Sequence, residues 1–399
     1  MLRSVLPDSP IMAAAHGGPS RTKPGEDMDE HTLNRRQILG GLAVAGAAGV
    51  VGGVGASRAE AADAPDVGAS QPPQITDVKD KVAYITGGSS GIGLGIARVF
   101  HEAGMKVVIG YYTDKHIGDA LRQFPENDPR IHAIRHDVMD RDGWERTADE
   151  IEKKFGPVHV LVNNAGVGLQ APASTGTLKD WEWGLGVNLW GPIYGVHTYV
   201  PRMLASKQGS HIVTTTSTSG ILPGSGAGIY TVAKIAAVAL MEELRHELRN
   251  TNIGTSAFIP GLTSTNIGQS ESYRPESLKN DGPPAVAPGA QPRRAPGAGA
   301  PPRPRPAASA ASPANARPQD PVVAARFVLD GILNNDLFIV AQPEWRVGVE
   351  ARCNALLESM VPFAPLPPEL VSGNRYRTPI YVQEIAHRKA TRKRDIEGT

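Results

Sequence analysis

A single cysteine, Cys353, stands in 399 residues. That excludes an intramolecular disulfide framework and a metal site built from cysteine alone. Excess charge of either sign is also missing. Lys plus Arg number 41 against 40 Asp plus Glu, a formal net charge of +1, so a nucleic-acid binder built on a basic surface is not expected. No repeat of solenoid length recurs. Glycine and proline are abundant instead, with 44 and 34 residues. Such numbers imply that part of the chain lies outside any packed core.

The two ends and one internal stretch supply that part. Residues 1–61 read as a twin-arginine-type signal segment. Arg35 and Arg36 precede an uncharged Gly/Ala-rich run over 37–57, and Ala59-Glu60-Ala61 follows as a small-x-small cleavage site. The competing reading is an uncleaved membrane anchor, since the run is about long enough to span a bilayer. Its glycines make it a poor lipid-facing helix. Met28 would be a more natural start, leaving a short stretch before the arginines. The expected partner is the twin-arginine translocation machinery and the expected location periplasmic or exported, with the cytoplasm as the fallback if the signal is not functional. Residues 62–78 read as a linker. Residues 282–318 carry eleven prolines and five arginines in thirty-seven residues. They have too little apolar surface to offset the entropy of ordering, so a disordered surface insertion is expected, with a proline-rich partner ligand as the sharper reading. Residues 366–399 form a polar tail with a basic cluster at Arg388, Lys389, Arg392, Lys393 and Arg394. Solvation is its default reading and an anionic membrane surface the alternative.

Between these segments, β-branched apolar runs alternate with helical patterns. Strands are expected over 82–86, 106–111, 131–136, 158–163, 211–216, 254–259 and 337–340. Helices are expected over 91–103, 115–122, 141–155, 180–206, 228–251, 321–333 and 344–360. Near-continuous apolar strands alternating with helices mean a parallel sheet covered on both faces. The fold class is therefore α/β, a Rossmann-like doubly wound single domain over 79–365 that carries the proline-rich insertion.

The first strand runs directly into Thr86-Gly87-Gly88-Ser89-Ser90-Gly91-Ile92-Gly93. Glycines there permit a tight turn and close approach of a dinucleotide, and the next helix aims its N–H groups at the pyrophosphate. The strand-turn-helix context is what strengthens an otherwise weak signal. Gly87, Ser89, Ser90, Gly91, Ile92 and Gly93 are thus cofactor-binding candidates. Asp137 and Val138 follow the third strand, and Asn164, Ala165 and Gly166 the fourth, at carboxyl ends where ligands bind in such sheets.

Ser217 ends the fifth strand, thirteen residues before Tyr230. Tyr230 and Lys234 lie four apart on one helix and share a face. A free tyrosine has a pKa near 10 and is a poor base at neutral pH. A neighbouring ammonium favours the phenolate, so the pair can exchange a proton with an alcohol or ketone. The Ser217 hydroxyl can hold the substrate oxygen.

With TGGSSGIG, HDV, NNAG, VNLWG, TTTSTSG, YTVAK and PGLTST in place, the chain resembles the short-chain dehydrogenase/reductases over roughly 80–270 and 320–360. The resemblance implies a catalytic set of Ser217, Tyr230 and Lys234 with Asn188 as fourth member. That asparagine would hold a water beside the lysine. Read alone, it would be assigned a capping or solvent role. The resemblance also implies that Lys234 binds the nicotinamide ribose and that Pro260, Gly261, Thr263 and Thr265 lie beside the nicotinamide. It suggests a homodimer or homotetramer. Three longer segments are similar to the branch containing the bacterial Cα-dehydrogenases of lignin-type aryl ethers, which implies a bulky aromatic secondary alcohol as substrate.

Cofactor choice is read at the end of the second strand. There the sequence has Gly110-Tyr111-Tyr112-Thr113-Asp114, with Tyr111 in the discriminating position. Asp114 would repel a 2′-phosphate; Lys115 and His116 would attract one. NAD is the expected cofactor and NADP the alternative. The rival function from another class is a catalytically silent dinucleotide-binding protein, against which the Asn–Ser–Tyr–Lys set argues. No metal site is expected: His132 and His136 share a strand face without a third ligand. Cys353 is expected to be buried in a helix. Trp181, Trp183 and Trp190 are expected to pack or to form subunit contacts rather than to cage substrate.

Overall fold

The protein is described by a computed structural model covering residues 68–224, 227–282, 285–288, 318–360 and 378–391. The proposed signal segment, most of the proline-rich insertion and most of the tail's basic cluster lie outside the described residues. Seven strands form one parallel sheet: β1 (Val82–Ile85), β2 (Lys106–Tyr111), β3 (Ile131–Arg135), β4 (Val160–Asn163), β5 (Ser210–Thr215), β6 (Ile253–Ile259) and β7 (Phe338–Val340). Their order across the sheet is β3-β2-β1-β4-β5-β6-β7. After β3 the chain crosses back to place β4 beside β1, so the strand order reverses there, and in such sheets the crevice at that switch point lies at the strands' carboxyl ends.

Helices cover both faces. On one side α1 (Gly91–Glu102) and α7 (Pro321–Asn334) bury Ile96, Phe100, Val328 and Ile332 against Val107, Ile109 and Val213. On the other, α3 (Arg141–Phe155), α5 (Gly191–Ser206) and α6 (Gly228–Leu248) bury Trp144, Tyr199, Met203, Met241 and Leu244 against Tyr84, Val108 and Leu161. Every residue of β1, β4, β5 and β6 is buried. This two-sided covering explains why those strands read as continuous apolar runs. A short helix, α2 (Ile117–Leu121), connects β2 to β3.

Three expectations change. The long helix over 180–206 is three pieces: α4 (Leu178–Leu185), a π-helical turn (Gly186–Trp190) and α5. A capping box starts α4, with Thr177 accepting from the Asp180 N–H and Asp180 accepting from the Thr177 N–H. Second, residues 68–78 are no loose linker. The Gln71 amide donates to the carbonyls of Leu248, Thr251 and Ile253, which supplies partners for the orphan groups at the end of α6. Ile75 is part of the core.

The third change is at the C-terminus. Helix α8 (Arg346–Glu358) has no buried residue, and Cys353 is exposed rather than buried. The apolar residues around Cys353 point outward, with Leu356 and Leu357 exposed as well. Conversely, part of the tail expected to be solvated forms α9 (Pro379–Ala390) and docks on β7. Its Glu384 accepts from the Leu337 N–H, and Arg388 donates to the Phe338 carbonyl and pairs with Asp336. Ile380 and Glu384 are buried there. Tail polarity misled because these polar groups serve the backbone of an edge strand rather than water.

Candidate functional site

The glycine-rich turn begins where β1 ends. Gly87 and Gly91 have φ of +63° and +51°, a left-handed conformation that glycine adopts without strain. Gly93 faces inward: a Cβ there would lie 2.3 Å from the Gly87 carbonyl oxygen. Asn164 braces the turn by donating to the Thr86 carbonyl at 3.1 Å, and the Thr86 hydroxyl accepts from the N–H groups of Asn164 and Ala165. The turn is thus built to leave backbone open to a phosphate at the start of α1.

Above it lies a cleft of about 540 Å³. Its floor is Gly87, Ser89, Ser90, Gly91 and Ile92 from the turn. Asp137, Val138, Asn164, Ala165 and Gly166 line it from the ends of β3 and β4. Ser217, Tyr230 and Lys234 line it next to these, as do Pro260, Gly261, Thr263 and Thr265 from the segment that begins at the end of β6. The open backbone of the turn and this surrounding set fit a dinucleotide.

Three candidates do not face the cleft. Gly93 packs behind the turn. Tyr111 is the last residue of β2, and its neighbour Tyr112 enters the cleft instead, because successive strand side chains point to opposite faces. Asn188 is completely buried behind the wall. It sits on the π-helical turn, where its amide donates to the carbonyls of Val167 and Gly184 at 3.0 and 3.1 Å and accepts from the Val167 N–H at 3.1 Å. Of the two roles read for Asn188 in isolation, burial excludes the solvent one, while its donation to the Gly184 carbonyl in the last turn of α4 is of the capping kind.

The Tyr230–Lys234 pair also differs from expectation. Burial pushes the Tyr230 phenol above its usual value, and a hydrogen bond with Ser217 opposes that shift. Burial also pulls Lys234 down to about 8. Its Nζ donates to the Thr215 carbonyl at 2.9 Å and lies 5.6 Å from the Tyr230 ring centroid. Desolvation outweighs the charge effect that the one-turn spacing suggested.

Several cleft residues carried no sequence signal. Trp183, read as packing, lines the cleft while 1% exposed. Tyr273 and Pro275 enter from the segment after β6, and Trp345 from the start of α8. His136 lines the cleft as well. Its Nδ1 lies 2.6 Å from the Tyr84 hydroxyl, whereas His132 turns to Glu150. Among the described residues, no group of three or more His, Cys, Asp or Glu could hold a metal ion.

The family model for short chain dehydrogenases matches residues 81–275. A C alpha-dehydrogenase of Sphingobium sp. strain SYK-6 is 33% identical over 317 residues, which is 77% of this chain and 97% of that protein. An NADP-dependent (R)-specific alcohol dehydrogenase of Lentilactobacillus kefiri is 34% identical over 47% of this chain and 75% of its own. A crystal structure of a short chain dehydrogenase/reductase from Burkholderia phymatum in complex with NAD is 28% identical. It superposes with a TM-score of 0.61, covering 73% of this chain and 99% of that one. The chain belongs to the short-chain dehydrogenase/reductase family and is an NAD(P)-dependent oxidoreductase of the alcohol dehydrogenase type.

Proposed function

We propose that the protein interconverts a secondary alcohol and its ketone, with Tyr230 exchanging the hydroxyl proton. The observation that carries this is the meeting of Ser217, Tyr230 and Lys234 in the lining of one cleft, with Ser217 close enough to the phenol to oppose its upward shift. The bound dinucleotide supplies hydride transfer. Ser217 holds the substrate oxygen against the phenol. Tyr230, kept protonated by burial, gives its proton to a ketone oxygen; in the other direction its phenolate takes one from an alcohol. Lys234, fixed by Thr215, binds ribose and supplies the positive charge that makes the phenolate accessible. Asn188 holds the wall and supports a water relay behind the lysine.

NAD is the favoured cofactor. Both bases that would attract a 2′-phosphate are engaged by Tyr273: His116 Nε2 lies 2.8 Å from its hydroxyl, and Lys115 Nζ stands 5.1 Å from its ring centroid. Similarity to the Cα-dehydrogenase and the aromatic lining of Trp183 and Tyr273 support a bulky aromatic alcohol. Exposed Leu178, Trp190, Leu204 and Val232 on α4–α6 and their connecting turn support a homodimer or homotetramer. Export by the twin-arginine route is also proposed. Replacing Arg35 and Arg36 with lysine should abolish the mature periplasmic form on fractionation, and normal export would refute the assignment.

The central test is Tyr230→Phe in protein lacking residues 1–61, assayed with NAD and NADP against aromatic, aliphatic and sugar alcohols. Loss of the acid/base should lower kcat by at least about 100-fold while fluorescence of bound NADH persists. Unaltered turnover would sink the mechanism.

A further inference from the structure

The segment after β6 lines one side of the cleft, and a buried arginine is among the groups that fasten it there. Arg274 Nη2 donates to Asp180 Oδ1 at 2.6 Å, and its Nε donates to the Leu278 carbonyl at 2.8 Å. The guanidinium lies 4.8 Å from the Trp183 ring centroid. Both charged side chains are only 3% exposed. Asp180 is saturated by further donors, the Asn280 amide and the Thr177 N–H, each at 2.9 Å. The more exposed Glu271 stands 3.4 Å from Nη1. One side chain thereby ties the start of α4, the Trp183 face and two points of its own segment.

That placement bears on the cleft. Tyr273 and Pro275, the residues on either side of Arg274, line it, as does Trp183 beneath the guanidinium. A buried ion pair adds little net stability against an apolar replacement, because desolvation consumes most of the Coulombic gain. What it supplies is a fixed geometry. The planar fork bonds two acceptors and stacks on an indole at once, which a lysine ammonium cannot reproduce.

We propose that Arg274 is a positioning residue that sets the substrate-side wall of the cleft and so determines the affinity for a bulky alcohol. The inference rests on the dehydrogenase reading above. It concerns the wall formed by Trp183, Tyr273 and Pro275, of which Tyr273 also meets His116 and Lys115. Loss of the pin lets that wall shift, and a large substrate loses contacts that a small one never makes.

The test compares wild type with Arg274→Lys and Asp180→Asn, using 1-phenylethanol and 2-propanol as probes. For Arg274→Lys, KM for 1-phenylethanol should rise at least about tenfold, with a much smaller rise for 2-propanol, a loss of binding rather than of chemistry. NADH affinity from fluorescence titration should stay within about twofold. Asp180→Asn should give the same pattern more weakly and carries the test if the first variant does not fold. Equal KM shifts for both alcohols, or a parallel loss of NADH affinity, would mean general loosening and overturn the proposal. Hydrogen exchange gives a readout without substrate. Amides of residues 266–281 should exchange faster in both variants while those of α6 do not. Unchanged exchange in that segment overturns the proposal too. If wild type oxidises neither probe, the dehydrogenase reading is what suffers, and exchange still decides whether Arg274 is the pin.

Discussion

Asn188 pairs through one side-chain amide with both backbone polar groups of Val167, accepting from its N–H at 3.1 Å and donating to its carbonyl at 3.0 Å. The pairing imitates a strand partner at a point where the sheet has ended. It is possible because the π-helical turn (Gly186–Trp190) swings Asn188 inward, where the Gly184 carbonyl takes its second N–H. Gly166 lies between this amide and Lys234: a Cβ on it would stand 3.0 Å from Asn188 Oδ1 and 3.6 Å from Lys234 Nζ.

Asn188→Ala should therefore act on both stability and turnover. It strands the Val167 N–H and C=O in the interior, at about 1–3 kcal/mol for each unsatisfied group. The denaturant midpoint should fall, and kcat should drop while NADH affinity is largely kept. A variant with wild-type stability and kcat would refute the role of this clamp.

Gly93→Ala should damage cofactor binding. The added methyl would lie 2.3 Å from the Gly87 carbonyl oxygen and 2.5 Å from Asn164 Nδ2, so the turn must open. A distortion of overpacking size, about 1–3 kcal/mol, corresponds to roughly 5- to 150-fold in the NADH dissociation constant. Fluorescence titration measures it directly. Wild-type affinity would show that the turn yields freely.

Acid should destabilise the protein through two histidines. Burial pulls His211 down to about 3, helped by Arg245, and pulls His136 down to about 4. Unfolded, both take up protons near pH 6.5. Between these values the unfolded chain binds more protons, so stability is complete above about pH 6.5 and falls as pH drops toward 4, by up to about 1.4 kcal/mol per pH unit for each residue. Urea midpoints between pH 7 and 4.5 should follow that slope, and His211→Gln should flatten it. A flat wild-type profile would contradict the neutral, buried assignment.

Most of the architecture was legible because β1, β4, β5 and β6 are buried on both faces and their sequences are mostly apolar or β-branched. The glycine turn and the Ser217, Tyr230 and Lys234 wall were legible because their spacing is local. Long-range relations were not. Nothing near Gln71 reveals that its amide meets the end of α6, and nothing near Arg274 reveals Asp180, 94 residues away. The π-helical turn has no distinct hydrophobic period, so it read as continuous helix. Strand alternation explains the displaced Tyr111. The expected burial of Cys353 failed because an apolar pattern says which residues share a face, not whether anything covers it.

Helix α9 gives the protein an order of completion. Its Glu384 and Arg388 satisfy the backbone of β7, the sheet's last strand. These residues are made after the turn, the Ser217, Tyr230 and Lys234 wall and Arg274, so all of those exist before that strand is sealed. An unsealed edge is a template for pairing with another chain. A chain that stops before residue 378 would carry every cleft residue named above and still present an open strand to its neighbours, so premature termination would show itself first as self-association rather than as a missing active site.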